Sequence, residues 1–356
     1  MRVLHIVASE KWTGIAAVVH DWTKALVDAG VEAQFAFSAG HNLEKRLLPA
    51  GWTRPLLSRP HGVAGTLRDL PELSRTLDRE PADVLHVHTS HDHYLAAMAR
   101  RGRAPRPLLV RTIHHARHTR PDPILRRLFR ATDGFVFANR DIAGAFGRDG
   151  PVHSPVVDAG IFSPGPRPVF LPSIGGLPAG QFVAGTVGKL ALRRGHAEAI
   201  EAAAPLPGTT LLHVGHGELK PALEARAAAA GASARNLWAG YQDERLPEFY
   251  RAMDAILFTA SGSQQGQRAL LEAMASGLPV AALDVTGVRD LVTDGAEGFV
   301  AASVPELSRA LAKLAADPAL RARMGDAARK RALLFTAARF AAEAAAFYDS
   351  IRATRV

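Results

Sequence analysis

At 356 residues the chain exceeds the size at which one hydrophobic core keeps growing, so two domains are expected. Apolar residues make up 47% and charged residues 22%, which excludes a disordered chain, and the absence of cysteine excludes disulfides and thiolate chemistry. The net charge of +9 asks for an anionic partner without naming one, since nucleic acid, anionic lipid and a nucleotide-sugar all satisfy it.

MRVLHIVAS lacks the basic, apolar, small-residue order of a secretory signal, and no apolar run is long enough to cross a bilayer, so a cytoplasmic location is expected. Residues 2–8 (RVLHIVA) read as a buried strand, and residues 16–29 carry apolar positions at helical spacing, stopped by Gly30. VEAQFAFS, DVLHVHTS, PLLVRTIHH and GFVFAN follow as short apolar strands separated by helical or turn-rich stretches. Such alternation predicts a parallel sheet with helices on both faces. Between Arg101 and Gly150 there are eleven Arg or Lys against four acids, with Arg126, Arg127 and Arg130 set around Leu125, Leu128 and Phe129. The stretch reads as a basic, partly amphipathic helix, either a solvated face or a patch for a membrane surface or anionic acceptor. No RNA- or DNA-binding signature accompanies it, so nucleic acid is not an expected partner.

From His153 to Gly180 the pattern lapses into Pro- and Gly-rich sequence, which reads as a linker without regular structure. A second alternating series follows: FVAGTVG, a helix from His196, TTLLHVG, a helix from Leu219, NLWAG, a helix near Leu246, AILFTA, a helix near Ala269, PVAAL and GFVAA. The predicted fold class is α/β, with two doubly wound Rossmann-like domains at 1–165 and 166–335. An Ala-rich helix over 336–356 is expected, able to dock on either domain, with packing back on the N-terminal domain as one outcome.

Doubly wound sheets bind ligands at the carboxyl ends of their strands, so the residues just after each strand carry the functional information. After the first strand, Gly14 stands where the loop 10–15 enters a helix, and a glycine there lets backbone N–H groups approach a phosphate. The absence of G-x-G-x-x-G after this strand counts against an NAD-dependent dehydrogenase. In the second domain the loop 185–195 places Lys189 and Arg194 beside Gly188. Two cations there can clamp a diphosphate, which loses hydration on binding and must gain charged hydrogen bonds in exchange.

The densest constellation spans 261–281 (SGSQQGQRALLEAMASGLPVA). A polar, glycine-containing loop follows the strand that ends near Ala260, and a helix begins near Gln267; its unpaired first-turn N–H groups attract phosphate. Glu272 lies inside that helix between Leu271 and Ala273, where a charge needs a partner or a ligand. A carboxylate accepting from two vicinal ribose hydroxyls is one such arrangement.

His86, His88, His91 and His93 surround one strand end of the first domain, and His114, His115 and His118 another. There is no H-E-x-x-H helix and no Cys or carboxylate at ligand spacing, so no metal is expected. A histidine directly after a strand is well placed to bond a sugar hydroxyl or a leaving group, which makes His114 the preferred catalytic residue, with a purely structural role as the alternative.

With these residues in view, the chain resembles retaining glycosyltransferases of family 4, which have the GT-B fold, over nearly its whole length. The likeness rests on GTVGKL followed by RRG, on VGHGELKPALE (214–224), on VVD followed by Phe162 and Pro164, on RTIH (111–114), and above all on LLEAMASGLPV. It implies a donor site in 166–335 and an acceptor site in 1–165. Lys189 and Arg194 are then expected to bind the donor diphosphate, and Glu272 the ribose. The backbone of Gly266, Gln267, Arg268 and Ala269 is expected beside the phosphates or sugar, Tyr241 beside the base, Gly14 at the donor, and His114 facing the sugar.

One departure stands out. The family's paired glutamates lie eight positions apart, and eight before Glu272 is Gln264, an amide that bonds a hydroxyl but cannot act as a charged acceptor. The glycine that normally follows is Gln265, with Gly266 one place later.

The expected activity is transfer of a sugar from a UDP- or GDP-type donor to an acceptor hydroxyl, with retention and with no cofactor or metal required. Expected acceptors are a sugar, a lipid-linked molecule or a small natural product, with peripheral contact at the inner membrane face through the basic N-terminal domain. Two alternatives stay open: a catalytically silent nucleotide-sugar-binding protein, motivated by Gln264, and an epimerase or phosphorylase of the same architecture.

Overall fold

The computed structural model describes residues 1–9, 14–39, 44, 47, 50–58, 63–115, 123–260 and 264–354; the side chains of 63, 124 and 264–266 lie outside that description. The chain divides into two compact units, Met1–Val156 with Ala337–Val356, and Val157–Thr336.

The first unit is built on six parallel strands: β1 (Arg2–Val7), β2 (Glu32–Ser38), β3 (Thr53–Leu57), β4 (Val84–Val87), β5 (Leu108–Ile113) and β6 (Gly134–Phe137), in the order β3-β2-β1-β4-β5-β6. The central strands are buried on both faces because helices cover both, and they are mainly apolar with His5, His86, Arg111 and Thr112 among them. Those helices are α1 (Gly14–Asp28), α2 (Val63–Arg79), α3 (Ser90–Ala99), α4 (Pro123–Arg130) and α5 (Arg140–Phe146). β3 carries Pro55, which donates no ladder hydrogen bond and is tolerated because this is the sheet edge. The same proline hides the strand from a reading of the sequence.

The second unit repeats the plan with β9 (Phe182–Val187), β10 (Thr209–Val214), β11 (Asn236–Gly240), β12 (Ala255–Phe258), β13 (Val280–Leu283) and β14 (Gly298–Ala301), in the order β11-β10-β9-β12-β13-β14. Its helices are α6 (His196–Ala203), α7 (Lys220–Ala229), α8 (Leu246–Ala252), α9 (Gln264–Ala275), α10 (Val304–Ala316) and α11 (Pro318–Ala332). α9 begins three residues before the Gln267 that the sequence indicated.

Two features depart from the sequence reading. The units part between Val156 and Val157, nine residues before the expected boundary, because the start of the linker is already bonded into the second unit. Val157 is buried in its core and donates its N–H to the Phe335 carbonyl, while Arg251 Nε donates to the Ser163 carbonyl. The linker also holds a short antiparallel hairpin, β7 (Phe170–Leu171) with β8 (Gly175–Gly176), pinned by fully buried Leu171.

The last helix, α12 (Ala337–Ala353), returns to the first unit and packs on α1. Phe340 stacks on Trp22 with ring centroids 5.1 Å apart, and Ala341 and Ala344 let the two helices approach. At the start of β6, Gly134 leaves room for the tip of the Ile351 side chain of α12, which a Cβ there would displace.

Candidate functional site

At the carboxyl edge of the second sheet the loops after β9 and β10 are bonded backbone to backbone. Gly188 N–H donates to the Val214 carbonyl and Leu190 N–H to the His216 carbonyl, each at 2.9 Å, and Leu219 N–H returns a bond to the Leu190 carbonyl at 3.0 Å. A Cβ on Gly215 would overlap the Gly188 carbonyl, and one on Gly217 the Leu190 carbonyl, so only glycine permits this approach. Lys189 stands in this braced segment, its Nζ 3.0 Å from Glu218 Oε2. Glu218 stands inside the VGHGELKPALE motif, and nothing in the local sequence marks it as the partner of Lys189.

Arg194 closes the same loop, and partial burial holds its guanidinium below the usual pKa. The preceding Arg193 has φ 64°, a left-handed conformation that costs a non-glycine residue energy and that loops retain at binding sites. Gly195 is pressed against the end of β12: its carbonyl accepts from Thr259 Oγ1 at 2.7 Å, and a Cβ there would overlap the Thr259 backbone. The loop carrying the cations is thereby fastened to the strand that leads into α9. Tyr241, just past β11, is 59% exposed and meets His216 edge-on at 5.6 Å.

Within α9, Glu272 is buried, and each carboxylate oxygen has a protein donor. Arg268 Nε bonds Oε1 at 3.0 Å, and the Tyr250 hydroxyl lies 3.0 Å from both Oε2 and the Ala269 carbonyl. Burial first, and then the neighbouring carboxylate, push the Tyr250 hydroxyl well above its ordinary pKa, so it remains a proton donor. Gln267 is also buried; its Nε2 donates to the Gly287 carbonyl at 3.3 Å, and its Oε1 has no partner among the described residues. The backbones of Gln264 and Gly266 form the first turn of α9, with N–H groups that the helix leaves unpaired. The Gln264 and Gln265 side chains lie outside the described residues.

In the first unit, His114 follows β5 and is 3% exposed. It ends a row of buried imidazoles: His5 Nδ1 lies 3.0 Å from His88 Nε2, and His88 Nδ1 lies 3.1 Å from His114 Nε2. His86 bonds the Tyr348 hydroxyl and Thr112 Oγ1, both at 2.7 Å, so α12 contributes directly to the cluster. Burial holds His5 at a pKa of about 3 and pushes His86 and His88 well below the ordinary value. His5, His86 and His88 offer nitrogens within 4.8 Å of one another, close enough for a metal. Among the described residues, hydrogen bonds to one another and to hydroxyls engage every one of those nitrogens except the buried His5 Nε2.

His91 and His93 face elsewhere, toward Asp69 and Thr132. His118 and residues 10–13 of the first loop lie outside the described residues, while Gly14 is the first residue of α1. The basic stretch forms α4 with Arg126, Arg127 and Arg130 exposed and Leu128 and Phe129 buried, which makes it amphipathic in the structure as in the sequence.

Two doubly wound units of the same strand order, joined by a linker, define the GT-B class of glycosyltransferases. Anabaena HepE, solved in complex with UDP and glucose, superposes with a TM-score of 0.79 at 20% identity, over 98% of this chain and 100% of that one. The family model described as Glycosyltransferase Family 4 matches residues 12–157, and the one described as Glycosyl transferases group 1 matches 171–331. Together the two models cover most of the sequence, and the chain belongs to glycosyltransferase family 4.

Among curated relatives it is 32% identical over 151 residues to the lipopolysaccharide core biosynthesis glycosyltransferase LpsE of Rhizobium meliloti (strain 1021). It is 35% identical over 152 residues to the 2-deoxystreptamine glucosyltransferase of Streptomyces kanamyceticus. The matched stretches span 42% and 40% of this chain, and less than half of each relative, 44% and 39%.

Proposed function

We propose that the protein transfers a sugar from a nucleoside-diphosphate donor to an acceptor hydroxyl, with the donor held by the second unit. The observation that carries this reading is the joining of three strand ends in that unit: the braced loop of Lys189 and Arg194, its fastening through Gly195 to Thr259, and α9 with Glu272 beyond it. Lys189, Arg194 and the first turn of α9 are the electrostatic receptor for a diphosphate, and Glu272 is the acceptor for ribose hydroxyls. The complexes of HepE with UDP and UDP-glucose favour a UDP-sugar over a GDP-sugar.

As the glycosidic bond breaks, charge grows on the leaving diphosphate, and fixed cations stabilise that charge more in the transition state than in the ground state. His114 faces the sugar in this reading, departure and attack occur on one face with retention, and no metal takes part. The acceptor is a sugar, a lipid-linked molecule or a small natural product, in line with the relatives' names. A cytoplasmic location and peripheral contact of the basic α4 face with a membrane belong to the same proposal.

The test is calorimetric titration of UDP, GDP, ADP and TDP. One nucleotide is expected to bind, and Lys189→Ala and Glu272→Ala are each expected to weaken it by about 10- to 100-fold, the scale of a hydrogen bond to a charged group. Failure of all four to bind overturns the donor-site reading.

A further inference from the structure

Lys189, the first of the two cations assigned to the diphosphate, is already occupied. Its Nζ lies 3.0 Å from Glu218 Oε2, and both side chains remain more than half exposed, at 53% and 62%. The pairing follows from the backbone. Leu190 bonds His216 and Leu219 on either side of Glu218, and Gly217 admits the Leu190 carbonyl where any side chain would collide. The two loops cannot separate without breaking these bonds, so Lys189 and Glu218 stay neighbours whether or not a ligand is present. Glu218 also stands just before α7, where the helix N-terminus favours a negative charge. Its own backbone N–H and then Lys189 hold its carboxyl below the usual pKa, which keeps it ionised at neutral pH.

A diphosphate that arrives at Lys189 therefore meets an anion already in place. We propose that Glu218 is a built-in competitor for Lys189: the donor's diphosphate must displace its carboxylate, and the carboxylate reclaims the lysine as the product nucleotide leaves. Glu218 on this view is a residue that sets donor affinity and speeds product release, and it is not a ligand of the donor. The inference rests on Lys189 being a diphosphate ligand. It adds that the resting site is deliberately weakened by a neighbouring loop.

The experiment is a double-mutant cycle with Glu218→Gln and Lys189→Ala, read as calorimetric Kd for UDP and, as a phosphate-free control, uridine. Glu218→Gln is expected to tighten UDP by about two- to fivefold, the scale of an exposed ion pair, to slow UDP dissociation, and to leave uridine unchanged. In the Lys189→Ala background the gain is expected to vanish. Weaker UDP binding by Glu218→Gln overturns the proposal, because the carboxylate then orients the lysine and does not compete for it. An equal gain with and without Lys189 overturns it too, since Glu218 would then repel the phosphates directly. If wild type binds UDP but Lys189→Ala binds it equally well, the diphosphate assignment itself falls and takes this inference with it. Thermal melting of each variant, expected to be unchanged for these exposed side chains, confirms that the cycle compares folded proteins.

Discussion

At the scale of single residues, the charges singled out in the second unit are paired within the fold, Lys189 with Glu218 and Glu272 with Arg268. Glu272 has a donor within reach of each carboxylate oxygen, Arg268 at one and Tyr250 at the other, which offsets the cost of burying a carboxylate. Replacing Tyr250 by Phe removes one donor and leaves the ring. The expected cost is about 1–3 kcal/mol of stability, for a buried carboxylate oxygen left short of a partner, read as a lower midpoint of chemical unfolding. Gln264 is the residue most able to separate an active enzyme from a silent scaffold. Gln264→Glu restores the family's carboxylate, so a large gain in turnover marks a decayed site, whereas a loss marks a site adapted to the amide. The sequence pointed to Glu272, Lys189 and Arg194, because each stands just past a strand or inside an otherwise apolar helix. It gave no sign of Tyr250, whose hydroxyl reads as an ordinary aromatic at the end of α8.

At the scale of elements, the strand-end loops are held by contacts that only glycine allows. Gly195 combines φ 74° with a carbonyl bonded to Thr259, and a methyl there meets backbone that cannot yield. Gly195→Ala is expected to cost on the order of 1–3 kcal/mol from the backbone alone, with steric overlap added, and to lower nucleotide affinity because Arg194 moves with the loop. Equal UDP affinity in a folded Gly195→Ala protein would show that the loop does not position the cation. α12 is the other decisive element, since Phe340, Tyr348 and Ile351 are buried in the first unit. Its existence was legible from the Ala-rich periodicity of the last stretch. Its docking depended on Gly134, Trp22 and His86, which lie far away in sequence and supply the shape and the hydrogen bond that receive it.

At the scale of the whole molecule, buried histidines of the first unit, His5 in the row and His153 against Trp22 and Phe340, make stability depend on pH. Burial holds His5 at about 3 and His153 at about 4, below the ordinary 6.5, so in this range the unfolded chain takes up protons more readily than the folded one. Each group's contribution is complete above pH 6.5 and is lost as the pH falls from there toward the folded value. By pH 5 the loss is on the order of 2 kcal/mol for each such imidazole. Asp92, whose carboxyl burial raises, acts in the opposite sense, favouring the folded state as the pH falls. Scanning calorimetry from pH 7.5 to 5 is expected to show a falling melting temperature, and His5→Phe is expected to flatten that slope. A melting temperature that stays level over this range would mean that the cluster is solvated.

The sequence by itself determined the alternation of strands and helices in both halves and the family motif in α9, because local periodicity and turn chemistry are written in neighbouring residues. Tertiary structure alone decided which charges meet. Glu272 finds Tyr250 22 residues away, His5 finds His88 83 residues away, and Lys189 finds Glu218 across two parallel strands. The order β3-β2-β1-β4-β5-β6 and its repeat in the second unit lay strands distant in sequence side by side, and the crossovers that do so leave no mark on the periodicity of either strand.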